Sequence, residues 1–268
     1  MMETLILMKH ELPILVLLFL LLLLKIASVQ RNDKVLLLIQ GFLFVQCIAG
    51  FVMPHDGNLF GTMFTTNAII QLEKNILNIA LLLLSLLFTD WLKTIEHLVE
   101  FFILLLSSVL GMFFLLSSAH LLQFYLSLEL STIPVAALAS FHLKNKLSSE
   151  AAIKMILSSA FSSGILLFGI SLIYGVTGSL EFSTIASAIQ IEPLSIMAFV
   201  FLISAFAFKM SVVPFHLWTA DVYEGAPIAV TAFLSVLSKA TISFAFLSVL
   251  YVVFSSYFSV WHPLLVGL

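Results

Sequence analysis

Charge is what this sequence has least of. Only 9% of its 268 residues are Asp, Glu, Lys or Arg, and 62% are hydrophobic. Soluble domains carry roughly 25% charged residues, so a water-soluble fold is all but excluded. Cysteine is nearly absent. The one copy, Cys47, lies in an apolar run and supports neither a disulfide nor a metal site. The net charge of −3 offers no basic face to nucleic acid or anionic lipid. There is no GxGxxG, no P-loop and no HExxH. No small-residue cleavage site follows the first apolar run, Leu12 to Leu24. Lys25, Arg31 and Lys34 follow it, then another apolar run begins, so it reads as a retained span and not a leader.

What is there, at a mean hydropathy of +1.19, is a series of long apolar runs. They predict an all-α polytopic membrane protein, each helix about 20 residues long. Spans are expected at about Leu12–Val29, Val35–Met53, Ile76–Phe88 with some flanking residues, Leu98–Leu116, Leu121–Ser140, Glu150–Tyr174, Pro193–Val213 and Pro227–Phe254. A ninth would begin just before Leu268. The segment from Pro54 to Asn75 is polar, and its "GNLFGTMFTTN" predicts a short surface hairpin. Asp90 to Glu96 reads as a charged turn, and the segment after Tyr174 as a Gly- and Ser-rich loop with a short amphipathic stretch. Three parts are expected: residues 1–119, with the first four spans and the hairpin-like loop; residues 120–254, with spans five to eight; and residues 255–268.

Basic residues orient the spans. Lys25, Arg31, Lys34, Lys93, Lys144 and Lys146 fall in the odd-to-even connections; Lys9 and Lys74 fall on the other side. That asymmetry puts the N-terminus outside and the odd-to-even connections in the cytoplasm or matrix. Lys154, Lys209 and Lys239 remain, inside predicted spans, together with the acid Glu129. Each costs about 2.5–3.5 kcal/mol to insert at a helix centre. Helical periodicity sets Glu150, Lys154, Ser158 and Ser162 on one face of span six. It does the same for Thr231, Ser235 and Ser238/Lys239 on span eight, and for Tyr125, Glu129 and Thr132 on span five. Polar faces on consecutive spans want one another, or water.

Two prolines sharpen this. Pro134 follows Glu129 by five residues, and Pro214 follows Lys209 by five. Each frees the carbonyl four residues earlier, Leu130 and Met210, beside the charge. A freed carbonyl at membrane depth needs a protein group or water, and broken helices there mark ion pathways. Lys209 therefore sits where a helix opens. A buried ammonium balanced by a carboxylate can load and lose a proton.

Structural readings stand beside these. Glu150 and Lys154 also fit a plain i,i+4 ion pair. Lys209 could snorkel past Pro214, whereas Lys239 is too deep to do so easily. Glu129 could be a protonated core acid. His216, just after the break, fits an interfacial cap or a proton relay. His120, His142 and His262 read as interfacial, and Asp221 and Glu224 as solvated or capping.

The run "FKMSVVPFHLWTADVYEGAPIAVTAFLSVLSKA" resembles the signature of the antiporter-like membrane subunits of respiratory complex I, the subunit N type among them. "LQFYLSLELSTIPVAAL" resembles that family's fifth-helix motif with its acid. "LFGISLIYGVTGSLEF" and "GNLFGTMFTTNAI" resemble the stretch after the sixth helix and the early hairpin loop. The resemblance runs from about Asp56 to Tyr251. It implies that Lys209 is the pumping lysine, that Glu129 modulates its charge, and that Lys154 is a partner on the sixth helix. Lys239 would carry the proton onward, and His216 would share the wet region.

The resemblance also implies a non-redox subunit of a proton-translocating NADH:quinone oxidoreductase. NAD, FMN, iron–sulfur clusters and quinone would belong to partner subunits, with no cofactor in this chain. Partners would be other membrane-arm subunits and the lipid bilayer, with no nucleic acid. The location would be a bacterial inner membrane, or alternatively the mitochondrial inner membrane. Family members have fourteen spans in two inverted repeats, so the eight or nine here correspond to the N-terminal part of that fold. Competing readings are a subunit of a cation/proton exchanger or membrane-bound hydrogenase, a non-pumping scaffold, and a free-standing transporter.

Overall fold

The computed structural model describes residues 2–27, 32–52, 55–142 and 144–267. Arg31, Pro54, Leu268 and the expected span ends Val29 and Met53 lie outside them. Among the described residues, seven helices are long and apolar enough to cross a membrane. The first expected span is shorter than these: α2, Glu11–Ile26, has 16 residues after a short α1, Met2–Leu7. Its Ile14, Leu17 and Leu21 are buried at helical spacing, while Val16 and Phe19 face out.

Helix α3 spans Asn32–Gly50. The hairpin follows, β1 Gly57–Leu59 antiparallel to β2 Phe64–Thr66, with Gly57 opposite Thr66. Helix α4, Ala68–Leu87, starts eight residues earlier than expected, because the Asn67 side chain caps it by accepting from Ile70 N at 2.8 Å. The expected charged turn is a short helix, α5, Thr89–Thr94. Helix α6 spans Leu98–Leu116, as expected. It is apolar almost all round and becomes the most buried of the seven, with α2, α3, α4 and α7 (Leu121–Ala139) around it.

Helix α7 corrects one expectation: it runs through Pro134 without breaking. It lies so close to α6 that a Cβ on Gly111 would stand 2.5 Å from Ser131 N. Ser108 Oγ donates to Ser131 O at 2.5 Å across the same contact. Small residues allow this approach between membrane helices. Helix α8, Lys146–Thr177, has 32 residues and ends at Gly178 in the left-handed conformation. It packs on α7, on α10 (Pro193–Met210) and on α11 (Leu217–Gly225). Between α8 and α10 lies the short α9, Phe182–Ala188. The last full rod is α12, Ile228–Phe233, a π-helical turn Leu234–Ser238, and α13, Lys239–Val252. Helix α14, Phe258–Gly267, begins the expected ninth element.

At the end of the bundle that the charge bias places outside, chain segments tie together. Thr65 N donates to Ser117 O and Ala119 N to Met63 O, both at 2.8 Å. Thr62 Oγ1 donates to Glu181 Oε1 at 2.6 Å and Thr184 Oγ1 to Glu181 Oε2 at 3.2 Å. These bonds, Thr62 first, hold the Glu181 carboxyl below the usual carboxylate range. A depressed folded value stabilises the latch above the unfolded value and loses that contribution as pH falls through the folded one. Acidification is therefore expected to lower the hydrogen-exchange protection factors of the Thr65 and Ala119 amides, that is, to raise their rates relative to intrinsic exchange, in the wild type. Glu181→Gln should exchange at one rate, corrected for intrinsic chemistry, across the same pH range.

Candidate functional site

The stretch after Phe208 builds the site. Helix α10 stops at Met210 because Ser211 takes a left-handed φ of 59°, an unfavourable conformation for a side-chain-bearing residue. The chain turns and resumes as α11, so the break expected at Pro214 is present four residues upstream of that proline. Three carbonyls near the end, those of Ala207, Phe208 and Met210, find donors. Val212 N reaches Ala207 O at 2.9 Å, and Trp218 Nε1 reaches Phe208 O at 3.2 Å. The carbonyl of Met210, the one Pro214 was expected to free, accepts from Lys239 Nζ at 2.7 Å.

Lys239 also donates to Ser211 Oγ, which takes a second bond from Thr219 Oγ1. Its ammonium stands 5.6 Å from the Trp218 ring centroid. Cation–π contacts contribute about 0.5–2 kcal/mol. Hydrogen bonds to charged groups contribute about 1.5–3 kcal/mol, so the carbonyl and hydroxyl set the position and the ring adds to it. The π-helical turn lies just before Lys239. It interrupts the stripe expected from Thr231 through Ser235, leaving Ser235 exposed while Ser238 lines the site cavity.

Lys209 points the other way, onto α8, donating to Ser159 Oγ at 2.5 Å. One turn further along α8, Ser163 Oγ donates to Glu129 Oε1. Lys209 and Glu129 therefore hang on adjacent turns of one face of α8, each on its own serine hydroxyl, and among the described residues they form no direct ion pair. The expected α8 stripe, Ser158 and Ser162, is one residue out of phase. Ser162 Oγ donates to Ala205 O at 3.1 Å, and Ser158 Oγ to the carbonyl of Lys154. A cavity of about 20 Å³, lined by Thr132, Ser158, Ser159, Lys209, Trp218 and Ser238, lies beside the lysine. That is room for one water molecule.

The other two expected residues stand apart. Lys154 pairs with Glu150 and with Asp221, both at 2.6 Å, on the exposed N-terminal end of α8. The ion-pair reading fits it, with Asp221 as the partner missed, 67 positions away in the chain. His216 is exposed at the head of α11 and does not line the cavity.

The sequence reading also placed Lys74 in a connection. It is fully buried in α4, donating to Glu11 and Ser117. The missed signal is Gln71, Asn75 and Asn78, one polar helical stripe beside it.

Chemically, the centre holds two ammonium groups and one carboxylate around the carbonyl end of a helix. Fully ionised it carries one net positive charge, in surroundings where charge is costly. Losing a proton relieves that cost, and the serine hydroxyls and cavity offer groups to pass it to. Among the described residues no group of three His, Cys, Asp or Glu could hold a metal ion.

A family model described as NADH:quinone oxidoreductase/Mrp antiporter, transmembrane, matches residues 118–267. The chain is 42% identical to NADH-quinone oxidoreductase subunit N of Phocaeicola vulgatus, over 83% of this chain and 48% of that protein. It is 35% identical to subunit N 1 of Thermodesulfovibrio yellowstonii, over 91% and 54%. It superposes on a chain of respiratory complex I from Thermus thermophilus with a TM-score of 0.77, at 27% identity, covering 89% of this chain and 52% of that one. On a chain of the Mrp complex from Dietzia the TM-score is 0.80 at 22% identity, covering 94% and 50%. The chain thus spans about half the length of the relatives it matches.

Proposed function

Since this chain belongs to the NADH:quinone oxidoreductase/Mrp antiporter transmembrane family, we propose that it is a proton-translocating membrane-arm subunit of an NADH:quinone oxidoreductase. The observation that carries the reading is the pair of lysines at the broken end of α10, Lys239 holding the Met210 carbonyl and Lys209 reaching Ser159 on α8. The relatives at 42% and 35% identity favour the oxidoreductase over the exchanger, whose likeness is one of fold. NADH, flavin, iron–sulfur clusters and quinone belong to partner subunits, in a bacterial inner membrane. This chain does no redox chemistry.

Protons enter from the inner end, where the break leaves α11 and His216 exposed. Lys209 takes one up. Glu129, one helical turn away, favours the charged form when ionised and releases it when protonated. The proton passes by way of Ser159 or a water in the cavity toward Ser238 and Lys239. A quinone-coupled electron transfer elsewhere in the complex drives the cycle.

The test is proton uptake into inverted membrane vesicles, measured per NADH oxidised. Glu129→Gln should lower uptake several-fold. Lys154→Ala should change it little, because Lys154 is held by Glu150 and Asp221 and touches neither central lysine. If the effects are reversed, the relay begins at Lys154 and the assignment fails.

A further inference from the structure

A second buried charge cluster lies at the opposite end of the bundle, and the mechanism above leaves it idle. Lys74 is 0% exposed and Glu11 1%. The ammonium donates to Glu11 Oε1 and to Ser117 Oγ at the end of α6, and Phe64 of the hairpin lies over it with its ring centroid 5.0 Å away. Around the pair, Gln46 Nε2 donates to His10 O and Asn78 Oδ1, and Asn78 meets His10 Nδ1 at 3.2 Å.

A pair whose purpose is structural closes its acceptors. This one does not. Among the described residues, Glu11 Oε2, His10 Nε2, Glu73 Oε2, Gln46 Oε1 and Asn75 Oδ1 are buried without a hydrogen-bond partner. They come from α2 and its cap, from α3 and from α4, so the polarity is built by several elements converging. A buried ion pair is also a poor stabiliser next to an apolar pair of the same volume. Open acceptors on a buried carboxylate, beside a second carboxylate and an imidazole, are what a proton needs to arrive and leave.

We propose that Glu11 and Lys74, with Ser117, His10 and Glu73 beside them, form a second proton-binding site at the outer end of the bundle, beneath the hairpin. Lys74 passes a proton from Nζ to Glu11 Oε1, converting ammonium and carboxylate into amine and carboxylic acid with no change in net charge. Glu11 then releases a proton to solvent under the hairpin, and the amine takes up a new one from within. The charged groups facing this pair are Glu73 from α4, His10 at the head of α2, and Lys9, whose Nζ lies on the carbonyls of Gly50 and Val52 at 3.0 and 3.1 Å. Helix α4 also packs against α12, the π-helical turn and α13, the rod that carries Lys239. The outward direction of release rests on the translocation reading above; the proton exchange itself does not.

Two measurements on the assembled complex in membranes test it. Infrared difference spectra between acid and alkaline buffer should show a carboxyl band that Glu11→Gln removes. A spectrum unchanged by Glu11→Gln overturns the site. Proton uptake, followed with a pH dye trapped in vesicles, should fall roughly tenfold or more in the double variant Glu11→Gln with Lys74→Met. That variant keeps the volume and removes the charge, so a purely structural pair would leave both assembly and uptake intact, and undiminished uptake in an assembled complex overturns a role in transport. Lys74→Arg gives a second reading, since arginine keeps the ion pair but holds its proton. Should Lys209→Ala pump like wild type, the translocation reading fails while the Glu11 band still decides this one.

Discussion

Replacing Lys209 with alanine is expected to cut proton uptake by the assembled complex at least about 100-fold, the scale of losing a positioned acid–base group. Among the described residues, the side chain is the one ionisable group that touches both α8 and the site cavity. Alanine leaves Ser159 with no charge to relay and Glu129 with nothing to balance. Lys209→Arg should fail nearly as badly, because the guanidinium keeps its proton throughout. Retained proton uptake in the arginine variant would mean that Lys209 acts as a fixed charge and not as a carrier. Complex abundance in the membrane should be unchanged in both, since Lys209 makes one side-chain bond at a helix end and anchors no core packing.

The largest structural effect is expected at Gly111. A valine there would place Cβ 2.5 Å from Ser131 N and 2.7 Å from the Leu130 carbonyl carbon. Those are backbone atoms, so no side chain can swing away. Helices α6 and α7 would have to separate, and the Ser108–Ser131 bond would go with the contact. Overpacking alone costs about 1–3 kcal/mol. Loss of the hydrogen bond adds about 1 kcal/mol. Gly111→Val should therefore lower the thermal midpoint and the amount of subunit in the membrane, while Gly164→Val, which has open space around it, should do neither. Blotting of membranes and thermal unfolding in detergent check both.

How much of this was legible depended on how far apart the deciding residues lie. Helix α6 was read to the residue because His97 and Ser117 bracket a run that is apolar except for Glu100, Ser107, Ser108 and Gly111. The opening of α10 was read from Pro214, and the freed Met210 carbonyl was named. What takes that carbonyl, Lys239 from 29 positions on, is a tertiary fact. The α8 face was missed by one residue, which is a rotation of roughly 100°. Ser158 and Ser159 carry the same side chain, and only the neighbours choose between them. Pro134 was expected to open α7, yet the close contact with α6 holds the helix together across it. Lys74 was misplaced for a different reason. Glu73 and Lys74 read as a hydrophilic connection, and the burial of Lys74 follows from its pairing with Glu11, 63 positions earlier.

Helix α8 is 32 residues long. That is roughly 48 Å against a hydrocarbon layer of roughly 30 Å. Lying wholly within the layer would need a lean of about 50°, outside the range of about 0–40° that membrane helices adopt. One end therefore emerges. The Gly178 end is pinned beside the hairpin assembly, so it is the end with Glu150, Lys154 and Asp221 that stands proud, and α11 rides on it with Gly225 pressed to the Leu147 carbonyl. These charges work as a waterline. On the proposed reading they would set how deep the subunit sits, and with it the thickness of hydrocarbon between the inner solution and Lys209. A host bilayer a few ångströms thicker would slow proton entry with every residue of the relay still in place.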